Sequence, residues 1–363
     1  MTNDIGGRPM VSVLMSTFNE AAFVEEAVES ILSQTFVDFE FIIVDDDSTD
    51  GTRPILRNFD DQRIVLIEND ENIGFVRSLN KGLDECTGKY VARMDGDDVS
   101  ERHRLETQLR YLESKPDTGI VGSFYWKVTG SGVVKKLCRK PATDVEIRFE
   151  LLLAPPFAHP SVMFERALLE EHNIRYSPHY PGIEDYDLWP RLLRHTCGEN
   201  IPEPLLRYRV HGNNQSLQNR RNMLREHDKI ALRVVREYVP DFDTTLREVS
   251  QLRMLVHRGY EFSPYDIDNR RSELAGRYLD LFNAYKERYR NESGISKVKR
   301  TTVETTLRIL LDDRWTNNNG LVAIPDIASL QVLIRTFRLH PLATVGGVFS
   351  RLLLIPRLLR STH

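Results

Sequence analysis

The sequence contains few cysteines and no long apolar run. Three cysteines occur, Cys86, Cys138 and Cys197, and no two of them form a Cys-x-x-Cys pair. This spacing excludes a zinc ribbon and a disulfide framework, and it favours reduced thiols in a cytosolic protein. No stretch of 18 apolar residues is present, so we expect no transmembrane helix. The first ten residues lack a basic-then-apolar pattern, which predicts no secretory leader.

Charge and missing motifs exclude several function classes. The chain has 49 Lys and Arg against 53 Asp and Glu, a net charge of -4, which argues against a nucleic-acid coat. No Gly-x-Gly-x-x-Gly follows the first predicted strand, and neither a Walker loop nor a Gly-x-Ser-x-Gly elbow occurs. Residues 46–57 begin like a calcium loop, but Arg57 stands at the twelfth position where an EF-hand needs Glu.

The first third of the chain alternates apolar runs with amphipathic runs. This rhythm predicts a doubly wound, mostly parallel sheet flanked by helices. The runs that predict strands are 10–17, 39–46, 64–68 and 89–95, and those that predict helices are 21–33, 50–59 and 74–85. In such a sheet, ligands bind at the carboxyl ends of the strands.

The remainder of the chain is less regular and then becomes helical. A length of 363 residues suggests about two domains. We expect a catalytic domain over 1–215 and a mainly helical region over 216–363. In the middle, the pattern predicts helices at 101–114 and 183–195, a hairpin at 118–138 and a strand at 203–210. The later helices are predicted at 216–238, 243–259, 270–290, 299–312 and 325–338.

Acidic residues follow the predicted strands. Asp45, Asp46 and Asp47 come after the second strand, and Asp95-Gly96-Asp97-Asp98 comes after the fourth. Such a cluster is costly unless a cation lies among the carboxylates. Alternate residues of an extended chain point the same way, so Asp95 and Asp97 can converge on one divalent ion. Alone, an Asp-x-Asp element is weak evidence, because it is more often a solvated acidic turn.

Further segments stand beside these aspartates in a characteristic order. The whole set is Val11-Ser12-Val13, Phe18-Asn19-Glu20, Val44 to Thr52, Asn72-Ile73-Gly74, Arg77, Asn80-Lys81-Gly82, Met94 to Asp98, His159-Pro160-Ser161, Glu184 to Trp189 and Tyr208-Arg209-Val210-His211. Taken together, these segments resemble family 2 glycosyltransferases, an inverting family with the nucleotide-diphospho-sugar transferase (GT-A) fold. The resemblance covers residues 9–215. One departure is Asp47, where the family usually has Gly or Asn.

The resemblance implies a slot for the base and ribose of a nucleotide. Phe18 would stack on a pyrimidine or belong to the core. Asp46 would accept the N3–H of uracil or serve as a turn or helix-cap residue. Asp95 would hold ribose hydroxyls or support the metal, and Arg77 would meet the base or a phosphate, or pair with a nearby aspartate. The further residues assigned to the nucleotide-sugar site are Ser16 and Glu20.

The resemblance also implies a metal site and a general base. Asp97 would bind Mn²⁺ or Mg²⁺, and His211 would complete the metal or diphosphate site or be structural. Asp185 would be the base, with Glu184 as the fallback. Acids that begin a helix are commonly caps, which is our interpretation of Asp187. Trp189 is expected in the core, with acceptor stacking as the other reading.

The implied reaction moves a sugar from a nucleotide-diphosphate donor, expected to be a UDP-sugar, to an acceptor hydroxyl in bacterial surface polysaccharide synthesis. The alternatives are a degenerate scaffold, a sugar nucleotidyltransferase and a retaining transferase. Residues 327–363 carry five arginines and no acid, which is typical of a membrane-surface segment or of a packed helix with solvated arginines. We therefore expect a cytoplasmic enzyme, peripheral at the inner membrane face if the tail binds lipid, with a glycan or lipid-linked acceptor. The sequence does not decide whether the protein forms a homo-oligomer.

Overall fold

The computed structural model of the chain describes residues 7–212, 220–257, 270–310, 332 and 335–336. The described residues divide into two units. The first reaches Leu151 and resumes with Pro155–His227, and the second comprises Leu152–Ala154 and the described residues from Asp228 onward. The basic tail at 341–363 lies outside the described residues, as does most of the helix predicted at 325–338. The domain boundary near 215 stays a prediction.

The first unit is built around a nine-stranded sheet. Its strands are β1 (Val11–Thr17), β2 (Phe39–Asp45), β3 (Ile64–Glu68), β4 (Tyr90–Asp95), β5 (Val99–Ser100), β6 (Thr118–Thr129), β7 (Val134–Cys138), β8 (Met163–Glu165) and β9 (Cys197–Val210). Their order is β3-β2-β1-β4-β8-β6-β9-β5, with β7 paired to β6. The pairs among β1, β2, β3 and β4 are parallel, as is β6 with β9, whereas β8, β7 and β5 pair antiparallel. The sheet as a whole is therefore mixed.

Helices surround this sheet and continue into the second unit. They are α1 (Val24–Leu32), α2 (Thr52–Arg57), α3 (Phe75–Glu85), α4 (Arg104–Ser114), α5 (Asp144–Leu151), α6 (Arg166–Glu171), α7 (Glu184–Leu192), α8 (Arg220–Tyr238), α9 (Leu246–His257), α10 (Arg271–Arg288) and α11 (Ile295–Leu310), with a 3₁₀ turn at His159–Ser161. No helix among the described residues is long and apolar enough to cross a bilayer.

Both faces of the central parallel strands β1, β2 and β4 are buried, whereas β3 is half-buried or exposed. Val13 and Met15 of β1 belong to a core cluster that also includes Ala27 of α1. On α3, Gly82 lies so close to the sheet that an added Cβ would be 2.4 Å from Leu14 Cδ1 and 3.0 Å from Val44 Cγ2. This double burial explains the near-continuous apolar runs of these strands in the sequence.

The predicted elements of the first third are present, each within a few residues of its predicted ends. The middle departs further from the prediction. β9 begins at Cys197, six residues before the predicted strand, and the short elements α5, β8 and α6 had no predicted counterpart. Helices of six and eight residues and a strand of three are too short to show a clear hydrophobic period, so the pattern carries little signal for them.

The second unit is helical over its described residues. Helix α9 is buried over seven consecutive residues, Val249 to Leu255, and is therefore covered on all sides. Within this burial, Arg253 Nε donates to Asp228 Oδ1 at 2.8 Å, and its Nη1 donates to the Leu153 carbonyl at 3.1 Å. The pairing satisfies two charges that would otherwise be costly to bury.

Candidate active site

Three parallel strands end side by side at one edge of the sheet. In the register of β1, Ser16 lies opposite Val44 of β2 and opposite Asp95 of β4. The segments that follow these strands therefore lie next to one another, as the sequence predicts. Ser16 is buried at this edge.

An acidic cluster occupies the end of β4. Carboxylate oxygens of Asp95, Asp97 and Asp98 all lie within 4.8 Å of one another. Asp97 and Asp98 are buried, and Asp95 is half-buried. Burial raises the pKa of Asp97 and the charge of Asp95 raises it further, while the hydrogen bond with His211 lowers it. The distance between His211 Nε2 and Asp97 Oδ2 is 2.9 Å, so the structure brings both predicted metal residues together.

Asp98 is a member of this cluster that the sequence interpretation gave no role. Its Oδ1 accepts the backbone N–H of Arg209 at 2.7 Å. Its buried Oδ2 has no hydrogen-bond partner among the described residues. Burial, followed by the charges of Asp97 and Asp95, raises the pKa of Asp98 well above its usual range. A buried carboxylate oxygen without a partner requires an explanation, and hard carboxylate oxygens beside an imidazole fit a divalent cation.

The counter-charge to this cluster comes from Arg93. Its guanidinium is buried, pairs with Asp95 and lies 5.3 Å from the ring centre of Phe75. The sequence interpretation had placed Arg77 in this role as one alternative. Arg77 lies on α3 with an exposed side chain, and among the described residues it forms no ion pair. Arg93 lies two positions before Asp95 on β4, and residues two apart on a strand share a face. That spacing could have predicted the pair from the sequence.

Glu20 lies against the acidic cluster from the loop after β1. Thr17 Oγ1 donates to Glu20 Oε2 at 2.8 Å. A Cβ added to Gly96 would lie 1.9 Å from that same oxygen, so Glu20 packs directly on the backbone between the two aspartates. Burial and then the charges of Asp97 and Asp95 raise the pKa of Glu20 well above its usual range. A larger residue at position 96 would force the Glu20 carboxylate to move.

The residues predicted to hold the nucleotide lie at the ends of β1 and β2. The side chain of Phe18 is 40% exposed, so its ring is accessible at the surface. The buried carboxylate of Asp46 accepts hydrogen bonds from Asn69 Nδ2 at 2.8 Å, from the Ile73 backbone at 2.9 Å and from the Gly74 backbone at 2.8 Å. Asp46 thus holds the loop that leads into α3. A carboxylate can accept about four hydrogen bonds, so one acceptor position is left over.

The departure at Asp47 has a local explanation. Asp47 has a φ of 61°, in the left-handed region that glycine and asparagine adopt most easily. Aspartate also tolerates this region, and here Asp47 Oδ1 lies 3.3 Å from Arg53 Nη1. The backbone geometry is therefore the one that Gly or Asn would provide.

Two adjacent carboxylates begin helix α7. Asp185 is half-buried and its Oδ1 accepts the N–H of Tyr186 at 2.7 Å. Burial raises the pKa of Asp185, while that hydrogen bond and the charge of Lys140 lower it. Burial and the charge of Asp185 raise the pKa of Glu184 to about 8. Asp187 instead pairs with Arg191 at 2.6 Å within the same helix, which fits a structural role.

A row of buried polar side chains leads from Tyr176 through His159 to Glu184. His159 Nε2 lies 2.8 Å from the hydroxyl of Tyr176, and its Nδ1 lies 3.6 Å from Glu184 Oε1. Burial and the positive charge of Arg93 lower the pKa of His159 well below its usual range, so the imidazole is neutral at pH 7. Trp189 packs edge-on against His159 and is fully buried, as a core residue. The sequence gave no sign that Tyr176 joins this row.

The sequence is similar to known glycosyltransferases. The sequence model described as Glycosyl transferase family 2 matches residues 12–172. An uncharacterized glycosyltransferase of Haemophilus influenzae is 33% identical over 223 residues, which cover 57% of this chain and 68% of that protein. The O-antigen biosynthesis glycosyltransferase WbnJ of Escherichia coli is 32% identical over 216 residues, which cover 58% of this chain and 82% of that protein.

A solved structure shares the architecture. The S. aureus TarS fragment 1–349, in complex with UDP-GlcNAc, aligns with a TM-score of 0.56 at 14% identity, over 82% of this chain and 86% of that chain. At this identity the likeness shows the fold alone, and it confirms the expected GT-A-type sheet flanked by helices and followed by a helical region. The relatives identified by sequence show the family itself. The chain belongs to glycosyl transferase family 2.

Proposed function

We propose that this glycosyltransferase is metal-dependent and inverting, and that it moves a sugar from a UDP-sugar to an acceptor hydroxyl. The observation that carries the proposal is the acidic cluster at the end of β4, where the buried Asp98 Oδ2 has no partner among the described residues. A cation and a diphosphate would supply the missing contacts. The UDP-GlcNAc bound to the S. aureus TarS fragment supports the choice of uridine.

The donor would lie across the edge formed by β1, β2 and β4. The exposed ring of Phe18 would stack on the uracil, and the remaining acceptor position of Asp46 would take its N3–H. Asp95 would hold the ribose. The other residues proposed for the nucleotide-sugar site are Ser16, Glu20 and Arg77.

Asp97 and His211 would hold Mn²⁺ or Mg²⁺. The bound cation would supply Lewis-acid neutralisation of the charge that develops on the leaving diphosphate. The chain's own part is to keep the carboxylates converged: the Arg209 N–H fixes Asp98, and Arg93 pairs with Asp95. This arrangement is set before the donor arrives, so little reorganisation is needed when charge develops.

Asp185 would act as the general base in a single displacement. It accepts the proton of the acceptor hydroxyl while the oxygen attacks the anomeric carbon from the side opposite the diphosphate. The bond from that carbon to the diphosphate breaks, and its electron pair leaves with the nucleotide, so the anomeric configuration inverts. A pKa raised by burial makes Asp185 a better proton acceptor than an exposed aspartate. Glu184 is the fallback base.

The biological setting we propose is bacterial cell-surface polysaccharide synthesis, at the cytoplasmic side. The O-antigen and amylovoran biosynthesis glycosyltransferases among its relatives support this setting. We assign catalysis to residues 1–215 and give the basic tail at 341–363 a role at the membrane surface. If so, removal of 341–363 weakens binding to anionic vesicles, and unchanged binding overturns the tail's role.

The proposal is tested by thermal shift with UDP, GDP, CDP, dTDP and ADP, each with and without Mn²⁺. UDP with Mn²⁺ should stabilise the wild type, by about 2.7 kcal/mol at a concentration of 100 times Kd, and Asp97→Ala should lose the effect. Asp84→Ala, an exposed carboxylate on α3, is the control and should respond as wild type. Equal responses of Asp97→Ala and wild type would contradict the metal site, and a product of retained anomeric configuration would contradict inversion.

A further inference from the structure

A positively charged hairpin borders the candidate active site. β6 and β7 pair antiparallel through residues 125–138. From 118 to 143 the sequence has no acidic residue, whereas the chain as a whole has a net charge of -4. The five basic residues of this segment are Lys127, Lys135, Lys136, Arg139 and Lys140. Three of the five lie on the paired strands, and Arg139 and Lys140 follow them directly, so positive charge is concentrated at this hairpin on a chain of net negative charge.

Two of these lysines face each other across the strands. Lys127 of β6 lies directly opposite Lys136 of β7, so both side chains stand on the same face. Like charges in such a pair are destabilising. Among the residues that the structure describes, neither lysine forms an ion pair. The fold thus retains a repulsive pair at the surface, and an anionic partner would relieve the repulsion.

The same hairpin exposes an apolar tip. Residues 131–136 are all exposed, and within them Val133 is 56% and Val134 is 53% exposed. Both valines stand immediately before Lys135 and Lys136 in the chain. A soluble anionic glycan would neutralise the lysines but leave the valines in water. An anionic lipid surface accommodates both, because its headgroups attract the lysines while its interfacial region takes up the apolar tip.

We propose that the β6–β7 hairpin is a docking surface for an anionic lipid bilayer, separate from the C-terminal tail. Its position suits this role. The carbonyl of Gly130 in the turn accepts a hydrogen bond from Arg209 Nη1 at 2.7 Å. A Cβ added to Gly130 would lie 3.7 Å from the Cβ of His211, so the turn lies next to the proposed metal residues. At the other end, Lys140 follows β7 and donates to the Pro155 carbonyl at 3.1 Å. Docking through the hairpin would hold the candidate active site next to the lipid headgroups.

The test measures co-sedimentation of the full chain with vesicles of equal parts phosphatidylglycerol and phosphatidylcholine, and with phosphatidylcholine alone. Wild type should bind the anionic vesicles, more weakly at high salt. Lys135→Gln/Lys136→Gln should weaken binding about 25-fold, at about fivefold per lysine. Val133→Ser/Val134→Ser should weaken it about tenfold.

The matched control removes the same charge elsewhere. Arg102→Gln/Arg110→Gln changes two exposed basic residues outside the hairpin and should alter binding less than twofold. Three results overturn the proposal: no binding by wild type, binding by both hairpin variants as strong as wild type, or a loss with the lysine variant but none with the valine variant, which shows that the apolar tip takes no part in the contact. Because the readout is vesicle binding, it does not depend on sugar transfer. The thermal shift with UDP and Mn²⁺, measured on the same variants, tests the proposed function independently.

Discussion

At the scale of single residues, the contact between Gly96 and Glu20 decides how closely the acidic cluster can pack. No side chain larger than hydrogen fits at position 96 while Glu20 stays in place, because a Cβ would lie 1.9 Å from Glu20 Oε2. Gly96→Ala should therefore destabilise the protein by about 1–3 kcal/mol, the usual cost of overpacking. In a Glu20→Ala background the same change should cost at least about 1 kcal/mol less.

Urea unfolding of the four proteins in this double-mutant cycle measures the coupling. Gly130→Ala is the control, because its Cβ would make an ordinary contact of 3.7 Å with His211. It should change stability by less than about 1 kcal/mol. Additive effects of Gly96→Ala and Glu20→Ala would show that the close approach does not constrain position 96.

The buried carboxylate of Glu184 gives the protein a pH-dependent stability. Burial raises its pKa from 4.5 to about 8, so the folded state binds this proton more tightly than the unfolded state. Stability should therefore fall as the pH rises from about 4.5 to about 8, by at most about 1.4 kcal/mol per pH unit. Glu184→Gln removes this contribution, so its advantage over wild type should grow between pH 5 and pH 8, as measured by urea unfolding at both values. Parallel pH dependences of the two proteins would contradict the raised pKa.

Single residues also show how far sequence reasoning reaches. The pairing of Asp97 with His211 joins residues 114 positions apart, and the family resemblance predicted it because both lie in recognisable segments. Asp98, Arg93 and Tyr176 were missed. Their roles depend on burial and on which polar atoms lack partners, and neither quantity can be read from residue type and spacing.

At the scale of elements, strong hydrophobic patterns were enough to predict where strands and helices begin and end. Strands β1 to β4 and helices α1 to α3 fell within a few residues of their predicted ends, because a strand buried on both faces, as β1, β2 and β4 are, is continuously apolar. The order of β8, β6, β9 and β5 was beyond prediction. β6 pairs with three different strands along its length, and such pairing is set by tertiary packing.

The hairpin offers a prediction that separates stability from binding. Lys136→Glu turns the pair with Lys127 into one of opposite charge, so it should raise the free energy of unfolding by about 0.2–1 kcal/mol while weakening binding to anionic vesicles. Lys135→Glu makes the same change of charge at a residue with no directly opposed lysine, and should leave stability unchanged. Urea unfolding compares the two. Equal stabilities of Lys136→Glu and wild type would show that the lysine pair is not repulsive.

At the scale of the whole molecule, catalytic residues can be predicted from the sequence better than residues that recognise the acceptor. The relatives align over little more than half of the chain, 57% for the Haemophilus influenzae protein. The helical unit from Asp228 onward has its own buried ion pair between Asp228 and Arg253, and no motif indicates its task. Catalytic residues are limited to a few side-chain types at strand and helix ends, whereas acceptor recognition can use any surface, so the sequence predicts the first far better.

A last prediction asks whether the whole protein is an enzyme or a scaffold that only binds the donor. Asp185→Asn removes the proposed base but leaves the acidic cluster intact, so UDP with Mn²⁺ should stabilise it as much as wild type. Sugar transfer should fall by about 10²–10⁴-fold, the usual contribution of a general base. Asp187→Asn changes a neighbouring carboxylate of α7 that pairs with Arg191, and should keep transfer within a few-fold of wild type. Near-full transfer by Asp185→Asn would reassign the base, with Glu184→Gln as the next variant to measure. If wild type binds donor but no acceptor yields product, the acidic cluster serves binding alone.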